Sequence, residues 1–177
     1  MGRDPHLVGQ RAVTLVEENN GEVVVVTVGN ESATDTIRSA LAMGADRAIH
    51  IKTDTQFLDS ERTAAALKAA IEQDGEPTMI FTGKGAVDTE GFQTMYRLAR
   101  LFNMPVVNNV SALTVKDGKA TAQREAGAGE KQIIQMNLPC VIGAAKGLNE
   151  PRYPKFKDVM MSKKKKIEQT TLSDLGI

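Results

Sequence analysis

The first half of the chain alternates between amphipathic segments and segments that are apolar throughout. Apolar residues at helical spacing predict a helix from Leu7 to Val16, which ends at residues 19–21. The next segment, Val23–Val28, is rich in valine and apolar on both faces, as is typical of a buried strand in a parallel sheet. Further helix–strand units follow at similar spacing. The pattern therefore predicts an α/β fold with right-handed parallel crossovers.

Polar residues mark the boundaries of the later elements. Ser32, with Asp35 three residues on, resembles a capping box for the second helix, and Asp59 or Ser60 is expected to cap the third. The remaining elements predicted in this half are the strands Arg47–Ile51 and Thr78–Thr82 and the helices Thr63–Glu72 and Phe92–Phe102.

The pattern changes after Pro105. Asp117-Gly118 predicts a hairpin turn between strands Ala112–Lys116 and Lys119–Glu125. A further strand is predicted at Gln132–Met136, and the apolar run Cys140–Ala145 has the composition of a buried strand. We therefore expect a Rossmann-like, open, mostly parallel sheet with an antiparallel hairpin at one edge. Because such sheets normally begin with a central strand and this chain begins at a helix, we expect the first strand to be missing.

Composition narrows the class of protein. The 177 residues are 41% hydrophobic, which suits one domain with a substantial core. The chain has 22 basic residues (lysine plus arginine) and 22 acidic residues (aspartate plus glutamate). Because these charges balance, no overall positive electrostatic field attracts nucleic acid. A single cysteine excludes an internal disulfide, and Cys140 is predicted to be a small buried residue. Without a long apolar run or a signal peptide, we expect a soluble, intracellular protein with no membrane insertion.

The loop Gly83–Gly91 is the first candidate ligand site, because it follows a predicted strand of a parallel sheet. Its glycines let the backbone approach a ligand closely, and Lys84 can bind a phosphate. Asp88 can accept a hydrogen bond from a ribose hydroxyl or an adenine amine. Gln93 and Thr94 fall in the first helical turn that follows, where free N–H groups suit an anion. The loop lacks the Walker spacing, and a flexible surface loop with Asp88 capping the helix is an equally good interpretation.

The turn Gly29–Ser32 is a second candidate, since it also follows a strand. No catalytic constellation is evident: His6 and His50 have no acid, base or metal partner in the pattern, and no serine lies in a nucleophile elbow. Together with a nucleotide-type loop, this favours a binding or carrier subunit over an enzyme.

The segment 149–166 is the most unusual part of the chain. Pro151 and Pro154 predict an extended surface crossing, and Arg152, Tyr153 and Phe156 are residue types favoured at protein contacts. Since burial of Phe156 would bring two flanking lysines with it, we expect its ring to be exposed. A docking surface is one interpretation, and a solvated lysine run that closes the domain is the other. The cations are Arg152, Lys155, Lys157 and Lys163 to Lys166, against the single anion Asp158.

Three segments together resemble the β subunit of the electron transfer flavoprotein family. The similarity extends over nearly the whole chain, from about Asp4 to Gly176. The segments are Thr36–Ala48, which resembles the family's second helix and strand entry; Gly83–Asp88 with Gln93 and Thr94, which resembles its adenine-nucleotide loop; and Leu148–Tyr153, which resembles its signature segment.

This resemblance implies one Rossmann-like domain over residues 1–177, with a docking loop at 149–166 and the start of a C-terminal arm at 167–177. Relative to the family, the chain would be truncated at both ends. The implied function is that of an electron carrier rather than a catalyst. Such a subunit pairs with an α subunit that holds most of the FAD, and it docks flavin dehydrogenases so that electrons pass to a downstream acceptor. The implied location is the bacterial cytoplasm, or the mitochondrial matrix in a eukaryote.

The resemblance also implies ligand and partner contacts. A bound AMP is possible, weakened by the missing strand, and no metal is implied. For docking, Phe156 falls where the family has a leucine anchor, beside Arg152 and Tyr153. The AMP contacts would fall on Asp4, Val28, Lys84, Gly85, Ala86, Val87, Asp88, Gln93 and Thr94. The main alternative is a free-standing adenine-nucleotide-binding regulatory module, which would be colourless and self-associating. A small-molecule transferase, the third interpretation, lacks a nucleophile or base.

Overall fold

The computed structural model describes residues 6–55, 58–83, 93–127, 129–145, 147–149 and 153–177. Helices and strands alternate over the first hundred residues, as the periodicity predicts. The helices described are α1 (His6–Asn19), α2 (Ala33–Ala42), α3 (Ser60–Asp74), α4 (Thr94–Leu101) and α5 (Phe156–Ser162). The strands are β1 (Val24–Gly29), β2 (Arg47–Lys52), β3 (Met79–Thr82), β4 (Val106–Lys116), β5 (Lys119–Gly127), β6 (Glu130–Asn137), β7 (Cys140–Ala144) and β8 (Ile167–Thr171).

The strands form two sheets, so the α/β architecture with open, mixed sheets is confirmed. The smaller sheet has the order β1-β2-β8, with both pairs parallel. The larger has the order β3-β7-β4-β5-β6. Strands β3, β7 and β4 run parallel, and β4, β5 and β6 pair antiparallel.

The antiparallel edge is confirmed, and its turn has the predicted chemistry. Asp117 and Gly118 both have positive φ, 51° and 72°, which is the backbone of a tight hairpin turn. Strand β4 is longer than the pattern predicts. Its first half pairs with β7 and its second half with β5, so β4 joins the parallel strands to the hairpin.

The small sheet is covered on both faces. Successive residues of a strand point to opposite faces, so the contacts of Ala48 and Ile49 in β2 identify the two layers. Ala48 is buried with Val13 of α1 and Ile37 of α2. Ile49 is buried with Ala66 of α3. Helices α1 and α2 therefore lie on one face, and α3 lies on the other.

The same helices hold the two sheets together. Val13 of α1 packs in the core beside the small sheet, whereas Leu15 packs in the core of the large sheet. Leu67 of α3 likewise packs against buried clusters of both sheets.

Within the described residues, β1 pairs only with β2 and β3 only with β7. One edge of β1 and one edge of β3 are therefore unpaired, and we call these two edges the seam. All six residues of β1 are half-buried, whereas the inner four residues of β2 are buried.

Two local predictions need correction. The capping box at Ser32 and Asp35 is wrong: Ser32 makes no side-chain cap, and its N–H donates instead to Asn30 Oδ1 at 3.1 Å. The segment after Pro154 is helical rather than extended. Lys155 has extended geometry (φ −73°, ψ 158°) and its N–H donates to the Asp158 carboxylate at 3.1 Å, so a helix begins directly after it.

The end of the chain contains a strand that the pattern did not predict. Residues 167–177 were expected to begin a C-terminal arm, and no strand was predicted there. The structure places Ile167–Thr171 in the small sheet as β8, parallel to β2. Leu172, Leu175 and Ile177 then pack against the cluster on the α3 face. The predicted cap of α3 is confirmed, since Asp59 accepts hydrogen bonds from the N–H groups of Glu61 and Arg62.

Candidate functional site

A polar crevice opens at the carboxyl ends of the small sheet, where parallel sheets place their ligands. One cavity of about 700 Å³ lies beside the ends of β1 and β2, and an adjoining cavity of about 530 Å³ extends to the end of β8. The two share Asn30, Thr53 and Asp54. Val28, a predicted AMP contact, lines the first. The crevice therefore coincides with the second candidate turn, Gly29–Ser32. Its hydroxyl-bearing residues are Ser32, Thr36, Thr53, Thr55, Thr63, Thr171 and Ser173.

Two interactions lie at or directly behind this crevice. Lys52, at the end of β2, forms an ion pair with Glu31, and its hydrogen bond holds the pKa of that carboxyl below the ordinary value. His50 is fully buried, and its Nε2 lies 3.1 Å from the carbonyl oxygen of Gly29. His50 therefore has a structural partner that the sequence pattern did not reveal, and it fixes the turn that follows β1.

Gln93 and Thr94 lie at the start of α4, as predicted. Gln93 makes no side-chain cap to the first turn, and its Oε1 accepts from Arg97 Nη2 at 3.1 Å instead. First-turn N–H groups of a helix have no intrahelical partner and suit an anionic group such as phosphate. Neither residue lines the two cavities of the small sheet. The other predicted ligand contacts, Asp4 and Lys84–Asp88, lie outside the described residues.

The second candidate site is the surface around α5. Phe156 is 82% exposed and Tyr153 is 88% exposed, so the predicted exposure of the Phe156 ring is confirmed. Sequence analysis missed three further exposed apolar residues on α5: Val159, Met160 and Met161. We call these five residues the α5 surface. The spacing of Val159 and Met160 could have revealed these two residues, because residues three and four positions after Phe156 share its helical face. Arg152 lies outside the described residues.

The lysine run is not uniformly solvated. Lys163, Lys164 and Lys166 are exposed, but Lys165 is half-buried. Its Nζ donates to the carbonyl oxygens of Leu41 at 3.0 Å and Ala45 at 2.6 Å. This lysine therefore has a structural role at the end of α2. The exposed lysines surround the α5 surface with positive charge.

Other candidate chemistry is limited in the part of the chain that the structure describes. Cys140 is fully buried, as predicted, and desolvation raises the pKa of its thiol to about 11, which keeps it protonated and unreactive. Among the described residues, no group of three or more histidine, cysteine, aspartate or glutamate side chains has the arrangement of a metal site. None of the described helices has the length and apolar character needed to cross a membrane.

Comparisons with known proteins identify the family. Residues 8–175 match the model of the electron transfer flavoprotein domain. The chain is 42% identical over 146 residues to the electron transfer flavoprotein subunit beta of Syntrophomonas wolfei, a match that covers 82% of this chain and 57% of that protein. It is 35% identical to the corresponding subunits of Dictyostelium discoideum and Bacillus subtilis, over 95% of this chain and 66% and 65% of theirs. The chain thus spans roughly three fifths of the length of these relatives. It belongs to the electron transfer flavoprotein family.

Proposed function

We propose that this chain acts as the β subunit of an electron transfer flavoprotein. In this role it supports the FAD that an α subunit holds and docks flavin dehydrogenases, whose electrons then pass to a downstream acceptor. The proposal fits the family assignment and the β-subunit relatives. In this proposal the chain is an electron carrier and has no catalytic residues of its own.

The observation that carries the docking role is the α5 surface. A ring as large as that of Phe156, 82% exposed among lysines, is costly to leave in water unless a partner covers it. An apolar anchor of this kind supplies binding energy, and the surrounding cations speed the encounter with an acidic partner. The partner expected from this chemistry has an apolar pocket bordered by carboxylates.

The ligand role is proposed for AMP, with FAD left mainly to the α subunit. The N-terminus of α4 offers N–H donors and the Thr94 hydroxyl to a phosphate, and Val28 offers an apolar contact at the end of β1. FAD, when bound, supplies the electron-carrying flavin. We propose that this chain contributes nucleotide contacts rather than a cradle for a dinucleotide, so we expect the isolated chain to bind no FAD tightly.

Co-expression with candidate α subunits tests this proposal. We expect a stable heterodimer that retains yellow flavin absorbance, whereas the chain expressed alone is colourless. Reduction of the heterodimer by flavin dehydrogenases is then assayed across a panel of these enzymes. Tight stoichiometric flavin on this chain alone would contradict the scaffold role, and a colourless, self-associating protein that captures no α subunit would favour a free-standing regulatory module.

A further inference from the structure

Helices α2 and α5 are joined by two cations, one in α2 and one just after α5. Each cation binds carbonyl oxygens at or just beyond the C-terminal end of the opposite helix. Arg38 of α2 donates from Nη1 to the carbonyl oxygens of Ser162 at 2.7 Å and Lys165 at 2.8 Å. In return, Lys165 Nζ donates to the carbonyl oxygens of Leu41 at 3.0 Å and Ala45 at 2.6 Å. We call Arg38 and Lys165 the α2–α5 clamp.

The clamp adds charged donors to carbonyl oxygens at helix ends, and two of these oxygens, those of Ser162 and Leu41, also accept from the backbone N–H groups of Lys165 at 3.2 Å and Gly44 at 3.3 Å. The last carbonyl oxygens of a helix have no intrahelical donor and carry partial negative charge, so a cation placed there forms a charge-assisted hydrogen bond. Both clamp residues are half-buried, which shields these bonds from water more than a surface pair would be. The clamp therefore fixes the C-terminal ends of α2 and α5 with respect to each other.

Apart from the clamp and its contact with α2, helix α5 has few interactions that hold it in place. It is 7 residues long, far shorter than a helix needs to be stable in isolation. Six of its residues are exposed, and only Ser162, at its end, is buried. No residue of α5 belongs to the buried apolar clusters of the core, so its orientation depends on its contact with α2 and on its two ends. The N-terminal end is capped by Asp158, and the C-terminal end is held by the clamp.

The chain continues from the clamp into the small sheet. Lys166, the next residue, accepts a hydrogen bond at its carbonyl oxygen from the N–H of Ala48 at 3.1 Å, and β8 begins at Ile167. The clamp thus lies between a rigid strand and the exposed helix.

We propose that Arg38 and Lys165 are positioning residues that hold the α5 surface in the geometry its protein partner binds. The inference rests on the proposed docking function, because it assigns a role to residues that do not belong to the docking surface. Preorganisation lowers the cost of ordering α5 on binding, so loss of the clamp weakens association and leaves the electron-transfer step unchanged.

The first experiment measures hydrogen–deuterium exchange in the full chain with the variants Arg38→Gln and Lys165→Met. We expect the amides of residues 159–164 to exchange about tenfold faster or more, while those of β2 and β7 are unchanged. Lys164→Met is the matched control, since it removes the same charge from an exposed neighbour. Lys165→Arg, which keeps a cation, should restore most of the protection. Exchange in α5 that is the same in the wild type and both clamp variants overturns the inference.

The second experiment uses the heterodimer with its α subunit and the flavin dehydrogenase that reduces it fastest in the panel described above. With the clamp variants we expect KM for the heterodimer to rise about tenfold while kcat stays within about twofold of the wild type. A defect confined to folding would lower the melting temperature and the apparent kcat instead.

Phe156→Ala separates the two proposals. If Phe156→Ala raises KM and the clamp variants do not, the positioning role is wrong and docking through the α5 surface stands. If neither kind of variant changes KM, docking through this surface is wrong, and the docking role of the clamp is overturned with it.

Discussion

Arg47, the first residue of β2, binds Asp74, the last residue of α3, at two points: Nη1 lies 2.6 Å from Oδ1, and Nη2 lies 2.8 Å from Oδ2. Arg47 also donates to both carboxylate oxygens of Glu22, just before β1, at 2.8 and 3.0 Å. One planar guanidinium thus joins the starts of two strands to the end of the helix that covers them. Two-point arginine–carboxylate pairs are among the stronger ionic hydrogen bonds.

Arg47→Met should lower the free energy of unfolding by about 1–2 kcal/mol, because it removes several partly buried charge-assisted hydrogen bonds at once. Urea denaturation at neutral pH measures the change. Lys68→Met is the control for a single pair: Lys68 is half-buried and pairs only with Glu72 one helical turn away among the ion pairs of the described residues, and loss of such an i,i+4 pair should cost less than about 0.5 kcal/mol. Equal losses in the two variants would show that the Arg47 network adds no more than an ordinary surface pair.

The same pair predicts a pH dependence. The hydrogen bond from Arg47 holds the pKa of Asp74 below its ordinary value of 3.8 in the folded protein. The stabilisation is therefore complete above the pKa of the unfolded chain, and it is lost as the pH falls through the lower pKa of the folded protein. We expect the difference in unfolding free energy between wild type and Arg47→Met to shrink between about pH 5 and pH 2. A difference that is constant over this range would contradict the assignment of Asp74 as the titrating partner.

Phe156→Ala should leave folding nearly unchanged and weaken docking. The ring is 82% exposed, so its removal should shift the free energy of unfolding by less than about 0.5 kcal/mol. Loss of an anchor at an interface typically costs about 2 kcal/mol or more, which is roughly a thirtyfold loss of affinity. Thermal melting and electron transfer from the dehydrogenase to the heterodimer measure the two effects. A melting temperature several degrees lower with unaffected transfer would identify Phe156 as a folding residue. Val110→Ala, at a fully buried position, shows the size of a true core defect.

Thr94→Ala should weaken binding of AMP if the N-terminus of α4 holds the phosphate. Loss of a hydroxyl that donates to a charged group should cost roughly 1.5–3 kcal/mol, or at least about tenfold in affinity. Thr94→Ser keeps the hydroxyl and should bind as the wild type does. Calorimetry, supported by amide chemical shifts at high AMP concentration, measures the affinities. Equal AMP binding by the alanine and serine variants would remove Thr94 from the site.

The seam should be visible in hydrogen exchange. In the part of the chain that the structure describes, strand β1 pairs on one edge and its residues are half-buried, whereas β2 is paired on both edges. Backbone amides on an unpaired edge are open to water, so we expect part of β1 to exchange at least about tenfold faster than the centre of β2. Peptide-resolved exchange of the chain at neutral pH tests this. Protection of β1 as strong as that of β2 would mean that its second edge is covered.

The sequence by itself determined the features that depend on neighbouring residues. The run Val23–Val28 predicts a strand because its side chains are apolar on both faces, and Asp117-Gly118 predicts a hairpin because such residues adopt positive φ readily. Asp59 could be expected as a cap from its position before a helical pattern. The exposure of Phe156 followed from its flanking lysines, since burial of the ring would also bury two cations.

The tertiary structure alone decided the features that depend on residues distant in sequence. Strand β8 and helix α5 have weak local signals, and each is stabilised by partners more than a hundred residues earlier, namely β2 and Arg38. Arg47 is an ordinary charged residue until the fold brings Glu22 and Asp74 to it. Likewise, the pattern could not divide the strands between two sheets, because pairing depends on which strand edges meet in space. Periodicity and turn chemistry act over a few residues, whereas hydrogen bonds between distant segments exist only after the core has brought those segments together.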